Sequence, residues 1–177
     1  MILTSKVVFA EGRASNNDVE LKLLFGNLID SQSASVANKI VLEIWKIWIN
    51  DGASDLSRSR MERGINLMNQ GHLGAAEKLF TELIATEPNY IEAWNKRATV
   101  RFLMGQLGAS LEDVSVVLSK EPKHFGAVSG LGLILMKTED FEGALDAYNK
   151  VLEINPYSKD ALHLIPILEQ RVLGKKI

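Results

Sequence analysis

Few residues in this chain are spaced for catalysis or for metal binding. The three histidines, His72, His124 and His163, occur singly, with no second histidine three or four positions away to complete a metal-binding pair. We therefore predict that they lie at the surface or in turns. The absence of cysteine excludes disulfides, thiolate metal ligands and a cysteine nucleophile. No serine is paired with a histidine in a recognisable hydrolase motif.

Two further stretches suggest chemistry but have a simpler structural explanation. Gly130-Leu-Gly132 has the look of a phosphate loop, yet it lies inside a predicted helix rather than after a strand. The acidic residues Glu139, Asp140 and Glu142 fall in a predicted turn, where they favour the start of the next helix. We therefore predict no catalytic, cofactor-binding or metal-binding residue, and a protein that is not an enzyme.

The composition indicates a globular chain with one substantial core. Its 177 residues are 46% hydrophobic and 24% charged, and 20 basic against 22 acidic side chains leave a net charge of −2. The chain contains no block of basic residues of the kind that indicates nucleic-acid binding. No apolar stretch reaches the roughly 18 to 20 residues of a membrane-spanning helix. We therefore predict neither a nucleic-acid partner nor an integral membrane segment.

The elements that would position any site repeat along the chain. Pro88, Pro122 and Pro156 recur every 34 residues, the period of a solenoid built from helix pairs. Each proline stops the second helix of a unit, because it cannot continue the helical hydrogen-bond ladder. The predicted units, within a segment 53–158, are residues 57–90, 91–124 and 125–158.

Equivalent positions of the three units share residue types. Small residues occupy the two positions where the helices of a unit cross, since only small side chains allow a close approach there. They are Gly64, Ala98 and Gly132 on the first helices, and Ala76, Ser110 and Ala144 on the second. The turn between the helices carries Gly71, Gly105 and Glu139, at a position where glycine readily takes the left-handed conformation that ends a helix.

The three units, residues 57–158, resemble the tetratricopeptide repeat, and the third unit does so most closely. It runs Gly130-Leu-Gly-Leu-Ile-Leu-Met, then Asp140-Phe-Glu-Gly-Ala-Leu-Asp-Ala-Tyr, then Val151-Leu-Glu-Ile-Asn-Pro156. The resemblance implies an all-α, right-handed solenoid of antiparallel helix pairs that binds other proteins. Arg97 departs from the pattern, because an apolar residue is usual there. Two alternatives remain open: a buried pair with Asp113, or a side chain that extends to the surface.

A second, narrower resemblance implies a bacterial origin. Trp94-Asn-Lys-Arg-Ala-Thr99 and the stretch from His124 to Ile134 are similar to a group of small tetratricopeptide proteins of alphaproteobacteria, which often carry an export signal. Val8-Phe9-Ala10 has small or medium-sized residues at the positions where an export signal is cut. Residues 1–17 are therefore predicted to be either disordered or the remnant of an export signal, which leaves cytoplasm and periplasm open.

The segments that flank the repeats are also helical by pattern. Residues 18–52 are predicted to form a helical hairpin, whose second helix begins after Ser33 or Ser35. This hairpin is interpreted as a cap stacked on the first unit, and a dimer contact through Trp45 and Trp48 is the alternative. Residues 159–177 are predicted to form a C-terminal capping helix.

The first helices of the units are expected to line a concave groove. The residues predicted to face it are Met61, Ile65, Met68, Asn95, Thr99, Phe102, Ser129, Leu133 and Met136. Such an apolar strip predicts an adaptor that binds an apolar peptide or helix of a partner protein. Alternatively, the N-terminal hairpin, the C-terminal helix or a second copy covers the strip. In the last case the chain is a structural protein whose homodimer uses this surface.

Overall fold

The computed structural model describes residues 16–51 and 53–174, and this part of the chain is all-α. It contains nine helices and no strand: α1 (Asn16–Ile29), α2 (Ala34–Asn50), α3 (Asp55–Asn69), α4 (Leu73–Thr86), α5 (Ile91–Leu103), α6 (Leu107–Lys120), α7 (Phe125–Lys137), α8 (Phe141–Ile154) and α9 (Lys159–Gly174). The predicted cleavage site lies outside the described residues, although α1 already begins at Asn16. None of these helices has the length and apolar character needed to cross a membrane.

Helices α3 to α8 form three antiparallel pairs that stack into a right-handed solenoid, so the predicted fold class is confirmed. Pro88, Pro122 and Pro156 each lie two residues beyond the end of the second helix of a pair. Helix α9 then packs against α8.

The small residues at the helix crossings are required by packing. A Cβ atom at Gly64 would lie 2.6 Å from Cε1 of Phe80, and one at Gly132 would lie 2.8 Å from Cε2 of Tyr148. In the middle pair, the Ser110 hydroxyl donates a 2.8 Å hydrogen bond to the backbone carbonyl of Ala98 on the facing helix. Each crossing therefore holds an aromatic ring or a hydroxyl that a larger residue would displace.

The turns inside the three pairs adopt one conformation. Gly71 and Gly105 have φ angles of 79° and 76°, and Glu139 adopts a φ of 60° at the equivalent position. A left-handed residue ends the first helix at this place, which explains the glycine at two of the three sites.

Arg97 is buried and paired, as the first of the two sequence alternatives predicted. Its Nε and Nη2 donate to Oδ2 and Oδ1 of Asp113 at 2.9 and 2.7 Å, and its guanidinium lies 5.0 Å from the ring centre of Trp94. Arg101 Nη1 adds a third bond to Oδ2 of Asp113, at 3.0 Å. This ionic cluster joins α5 and α6, the two helices of the middle pair, and Arg101 Nε extends it to Oε1 of Glu77 on α4 at 2.9 Å.

Helices α1 and α2 form a hairpin, here called the N-terminal hairpin. The Ser33 hydroxyl accepts the backbone N–H of Val36, so Ser33 caps α2, one of the two predicted possibilities. The buried side chains of the hairpin share one core with those of α7, α8 and α9. The hairpin residues of that core are Leu21, Leu24, Phe25, Leu28, Ala37, Ile44 and Trp48.

This placement corrects the prediction that the hairpin stacks on the first unit. Helix α1 contacts α8, and α2 contacts α5 as well as its chain neighbour α3. The hairpin therefore covers part of the concave face. The reason is its composition: it has no small-residue pair to form a repeat crossing, but it has aromatic residues that pack against Phe125.

Candidate functional site

A cavity opens between the first helices of the second and third pairs and is called the concave cavity here. Helices α5 and α7 form its walls, and Ser110 and Val114 of α6 lie at its base, where both are buried. Its volume is about 120 Å³. The lining residues are Asn95, Ala98, Thr99, Phe102, Ser110, Val114, Gly126, Ser129, Gly130 and Leu133.

The rim of the concave cavity is accessible. Thr99 and Leu133 are exposed, Leu133 at 39% of its surface, and Phe102 is half-buried. Gly126 and Ser129 also line a more open depression of about 400 Å³, which continues past Trp45 towards the start of α9. Because the two spaces share Gly126 and Ser129, they are described together as a path along α7.

The structure brings together five of the nine residues predicted to line the groove: Asn95, Thr99, Phe102, Ser129 and Leu133. Met61 does not line it, which corrects that part of the prediction. Its side chain is fully buried in a core with Phe80 and Tyr90, because α5 lies against α3 and encloses it. Ile65 and Met68 pack, half-buried, against the same core, and Met136 packs against the core shared with the hairpin.

Four polar side chains form a buried group next to the cavity, called the Glu92 cluster: Glu92, Asn95, Lys96 and His124. The Glu92 carboxylate is fully buried and accepts from Nε2 of His124 at 3.1 Å and from Nζ of Lys96 at 2.8 Å. Asn95 Nδ2 lies 3.2 Å from each carboxylate oxygen. All donors come from α5 or from the turn before α7, so the repeats by themselves satisfy this charge.

His124 lies in a turn, as predicted, but it is fully buried rather than at the surface. Its Nδ1 accepts the backbone N–H of Ala127 at 3.1 Å and so caps α7. A ring nitrogen that accepts carries no proton, so the proton of the neutral ring is assigned to Nε2, which donates to Glu92. The histidine therefore couples the start of α7 to the buried carboxylate.

The pKa of Glu92 reflects two opposing influences. Burial by itself raises the pKa of a carboxyl group, because it penalises the charged form. The hydrogen bond from His124 and the positive charge and hydrogen bond of Lys96 outweigh burial and lower the pKa of Glu92 below its usual 4.5. Glu92 is therefore ionised at neutral pH.

The N-terminal hairpin covers the Glu92 cluster with two tryptophans, called here the tryptophan pair. Trp48 stacks on the His124 ring with 3.9 Å between centroids and 12° between planes. Trp45 meets the same ring edge-on at 5.5 Å, and the ammonium of Lys96 lies 4.7 Å from a Trp45 ring centre. Gly126 makes room for this contact, because a Cβ atom there would lie 2.7 Å from Cη2 of Trp45.

The sequence reasoning missed this cluster and its aromatic cover. Glu92, Asn95 and Lys96 follow one another at positions i, i+3 and i+4 of α5, a spacing that places them on one helix face. That pattern was the available signal, but a charged helix face is more often solvated than buried. Nothing in the spacing indicated that tryptophans from a distant segment cover it.

Comparison with known proteins agrees with this architecture. The tetratricopeptide repeat profile matches residues 127–158, the third predicted unit. A TPR repeat-containing protein of Rhizobium etli is 32% identical over 173 residues, which cover 97% of this chain and 84% of that protein. The similarity therefore extends through the hairpin and the C-terminal helix as well as the repeats.

Solved structures show the same fold at low sequence identity. The first TPR of RPAP3 bound to an HSP90 peptide superposes with a TM-score of 0.65 at 20% identity, covering 68% of this chain and 96% of that one. MamA from Desulfovibrio magneticus gives a TM-score of 0.61 at 19% identity, over 93% of this chain and 90% of its own. The helix pairs, the repeat profile and the Rhizobium relative show that this chain belongs to the tetratricopeptide repeat family, whose domains are protein–protein interaction modules.

Proposed function

We propose that this chain is a non-catalytic adaptor that binds an apolar peptide or helix of a partner protein on its concave face. The observation that carries the proposal is the concave cavity, which is open at an apolar rim and brings together five of the residues expected to face a ligand. One apolar side chain of the partner occupies it, while the path along α7 receives the neighbouring residues.

The size and lining of the cavity support one anchoring side chain. An apolar protein cavity of about 150 Å³ holds a benzene molecule, and this cavity of about 120 Å³ is slightly smaller. Ala98, Phe102 and Val114 offer apolar contact, and Thr99 and Ser129 place hydroxyls beside the entrance. Burying one leucine-sized side chain contributes about 1.5–3 kcal/mol, which is enough to make one position of the partner decisive.

The same lining favours binding over catalysis. None of the ten residues around the concave cavity is an acid, a base or a cysteine, so the hydroxyls of Thr99, Ser110 and Ser129 have no base among the lining residues to activate them. Among the described residues, no group of three or more acidic, histidine or cysteine side chains is placed to hold a metal ion.

The lining also favours an apolar ligand over an acidic one. The related RPAP3 domain was solved with an HSP90 peptide of sequence SRMEEVD. Domains that grip an acidic terminus use lysine, asparagine and arginine at inner positions, whereas this chain has Met61, Ile65, Gly126 and Gly130 at the corresponding sites. The remaining one, Lys96, is held by Glu92.

The test is a selection of displayed random dodecapeptides on the purified chain, followed by measurement of each selected peptide by fluorescence polarisation. We expect the selected peptides to share one apolar anchor. Leu133→Arg places a charge at the rim of the concave cavity and should weaken them at least about tenfold, or ~1.4 kcal/mol. Leu162→Arg changes a leucine of α9 that is 51% exposed, outside the cavity, and serves as the matched control.

Two outcomes would contradict the proposal. Peptides without an apolar anchor, or equal weakening by Leu133→Arg and Leu162→Arg, would show that the cavity is not the site. Light scattering on the 19.6 kDa chain addresses the structural alternative. A dimer that Leu133→Arg dissociates would assign this surface to self-association instead.

A further inference from the structure

We infer that the N-terminal hairpin is a displaceable occupant of a second helix-binding surface, formed by the Glu92 cluster and Phe125. The partner that displaces it is an amphipathic helix with two aromatic side chains three residues apart. This surface adjoins the concave cavity. The inference rests on the proposed function and extends it, because it adds to the concave face a second binding surface that the hairpin covers or uncovers.

The first observation is that α2 packs two tryptophan side chains against the repeats. Trp48 stacks on His124, and its ring centre lies 5.0 Å from that of Phe125. Trp45 meets Phe125 edge-on at 5.4 Å, over the gap left by Gly126. Helix-in-groove recognition uses this arrangement, with side chains at i and i+3 as anchors. Helix α2 therefore shows which ligand chemistry the surface accepts.

The second observation is that two cations of the repeats face aromatic rings of the hairpin. Lys96 Nζ lies 4.7 Å from a Trp45 ring centre, and Lys123 Nζ lies 5.4 Å from the ring centre of Phe25. Both distances are within the range of cation–π attraction, which favours aromatic over aliphatic side chains. The surface is therefore selective for aromatic residues.

The third observation concerns the hydrogen bonds that survive when the hairpin leaves. Glu92 is satisfied by His124, Asn95 and Lys96, all of which belong to the repeats. Removal of the hairpin would therefore separate no charged group from its partner, the change that usually makes the loss of a buried ion pair costly. A ligand can replace the tryptophan pair without rebuilding the polar base.

The fourth observation is a polar group that the docked state leaves unsatisfied. Trp48 is buried, and its Nε1–H has no hydrogen-bond partner among the described residues. A buried donor without a partner costs free energy that it regains on exposure to water. Tyr90, whose pKa is raised by burial, keeps its proton and donates to the Ile49 carbonyl at 2.5 Å, close to where α2 joins the repeats. The hydrogen bond from Tyr90 therefore holds the C-terminal end of α2, one residue from Trp48.

The probe for the test is a fluorescein-labelled synthetic peptide with the sequence of residues 34–51. It is titrated against the full chain and against the full chain carrying Trp45→Ala and Trp48→Ala. In the parent, the resident α2 occupies the surface, and a site that is open only part of the time binds with proportionally reduced apparent affinity. We expect the double variant to bind the peptide at least about tenfold more tightly than the parent does.

The matched control is the same peptide with both tryptophans replaced by alanine, which should bind neither protein. Binding of the tryptophan peptide to neither protein, or to both equally, would overturn the inference. A parent chain that light scattering shows as a dimer, and that the double variant converts to a monomer, would also overturn it, because the occupant is then a second copy.

Hydrogen exchange on the unmodified chain keeps the inference testable if the double variant does not fold. A displaceable hairpin opens as a separate unit, so the amides of α2 should exchange at least about tenfold faster than those of α5 and α7. Equal exchange in all three helices would mean that the hairpin is an integral part of the core. Neither experiment uses the concave cavity, so either can fail while the dodecapeptide selection succeeds, and the reverse.

Discussion

Two carboxylates of the middle repeat, Asp113 and Glu92, are equally buried but are covered by different parts of the chain. Asp113 and Glu92 are 1% and 0% exposed to solvent, and each accepts hydrogen bonds from more than one side chain. The partners of Asp113, Arg97 and Arg101, seal it between α5 and α6. Glu92, by contrast, is sealed by tryptophans of the N-terminal hairpin, a segment outside the repeats.

Asp113 therefore belongs to the groups that hold the repeats together, whereas the Glu92 cluster is a surface that the repeats present to another segment. Removing Asp113 leaves Arg97 without a carboxylate partner inside the solenoid, whereas Arg101 keeps Glu77 of α4. Removing the hairpin leaves the Glu92 cluster intact, because its hydrogen bonds are internal. One cluster is therefore part of the solenoid, and the other behaves as a covered surface of it. The following changes test this distinction.

Asp113→Ala should have the largest effect. Breaking a buried ion pair by removing one partner typically costs about 3–5 kcal/mol, because the remaining charge is uncompensated. We expect the free energy of unfolding, measured by urea denaturation, to fall by that amount. Glu112→Ala, at an exposed position of the same helix, is the control and should change little. Equal stability of both variants would remove Asp113 from the set of groups that hold the repeats together.

Gly132→Leu should be next. The added side chain meets the Tyr148 ring, 2.8 Å from the position of the first added atom, and only 1% of that residue is exposed. Overfilling a packed crossing costs about 1–3 kcal/mol or more. Gly108→Leu, with nothing within 4 Å, tests the same change without the clash and should be neutral or slightly stabilising in urea denaturation. A parent-like Gly132→Leu would mean that the crossing is assigned to the wrong residues.

Gly126→Ala also adds a side chain at a glycine that lies against an aromatic ring, in this case at the contact between the repeats and the hairpin. The added Cβ lies 2.7 Å from the far end of the Trp45 side chain, which is half-buried and lines the open depression beside α7. We expect a loss of about 1 kcal/mol, confined to the hairpin, seen as a change in tryptophan fluorescence and as faster amide exchange in α2.

The control for that change is Gly130→Ala on the same helix. Its added Cβ would meet Val114 at an ordinary 3.8 Å. If Gly126→Ala slows exchange in α2, or changes α5 and α7 as much as α2, the hairpin is not the element that responds.

Acid should produce the smallest effect. The pKa of Glu92 is lower in the folded chain than its usual 4.5, so the unfolded state binds more protons between the two values. The stabilisation from Glu92 is complete above about pH 4.5 and is lost as the pH falls through the folded pKa. Thermal melting temperatures between pH 6 and pH 3 should therefore fall less steeply for Glu92→Gln than for the parent. Parallel curves would show that the cluster is not linked to folding.

Much of the solenoid was predictable because its contacts recur. The crossings at Gly64 and Gly132 and the left-handed turns at Gly71 and Gly105 follow from one 34-residue pattern. For Arg97 the pattern left two alternatives open, and the structure shows the first of them, a buried pair with Asp113.

Half of the candidate site was not predictable in this way. The pattern placed Thr99, Phe102 and Leu133 on one face, and the structure brings them to one cavity. The pattern placed Met61 in the groove, although α5 lies against this residue and buries it. The pattern also did not predict that His124 is buried. Both errors arise where one helix pair meets a neighbouring element, and the repeat pattern describes only the positions within a unit.

By itself, the sequence determined the fold class, the helix pairs and the family, because these depend on local periodicity and on contacts between residues less than one unit apart. Only the tertiary structure decided where the N-terminal hairpin lies and what it covers. Trp45 and Trp48 contact residues of α7 that are far away in the chain, and no second copy of this contact exists in the repeats to reveal it as a pattern. A contact that occurs once, between distant segments, is settled by shape and burial in the folded molecule.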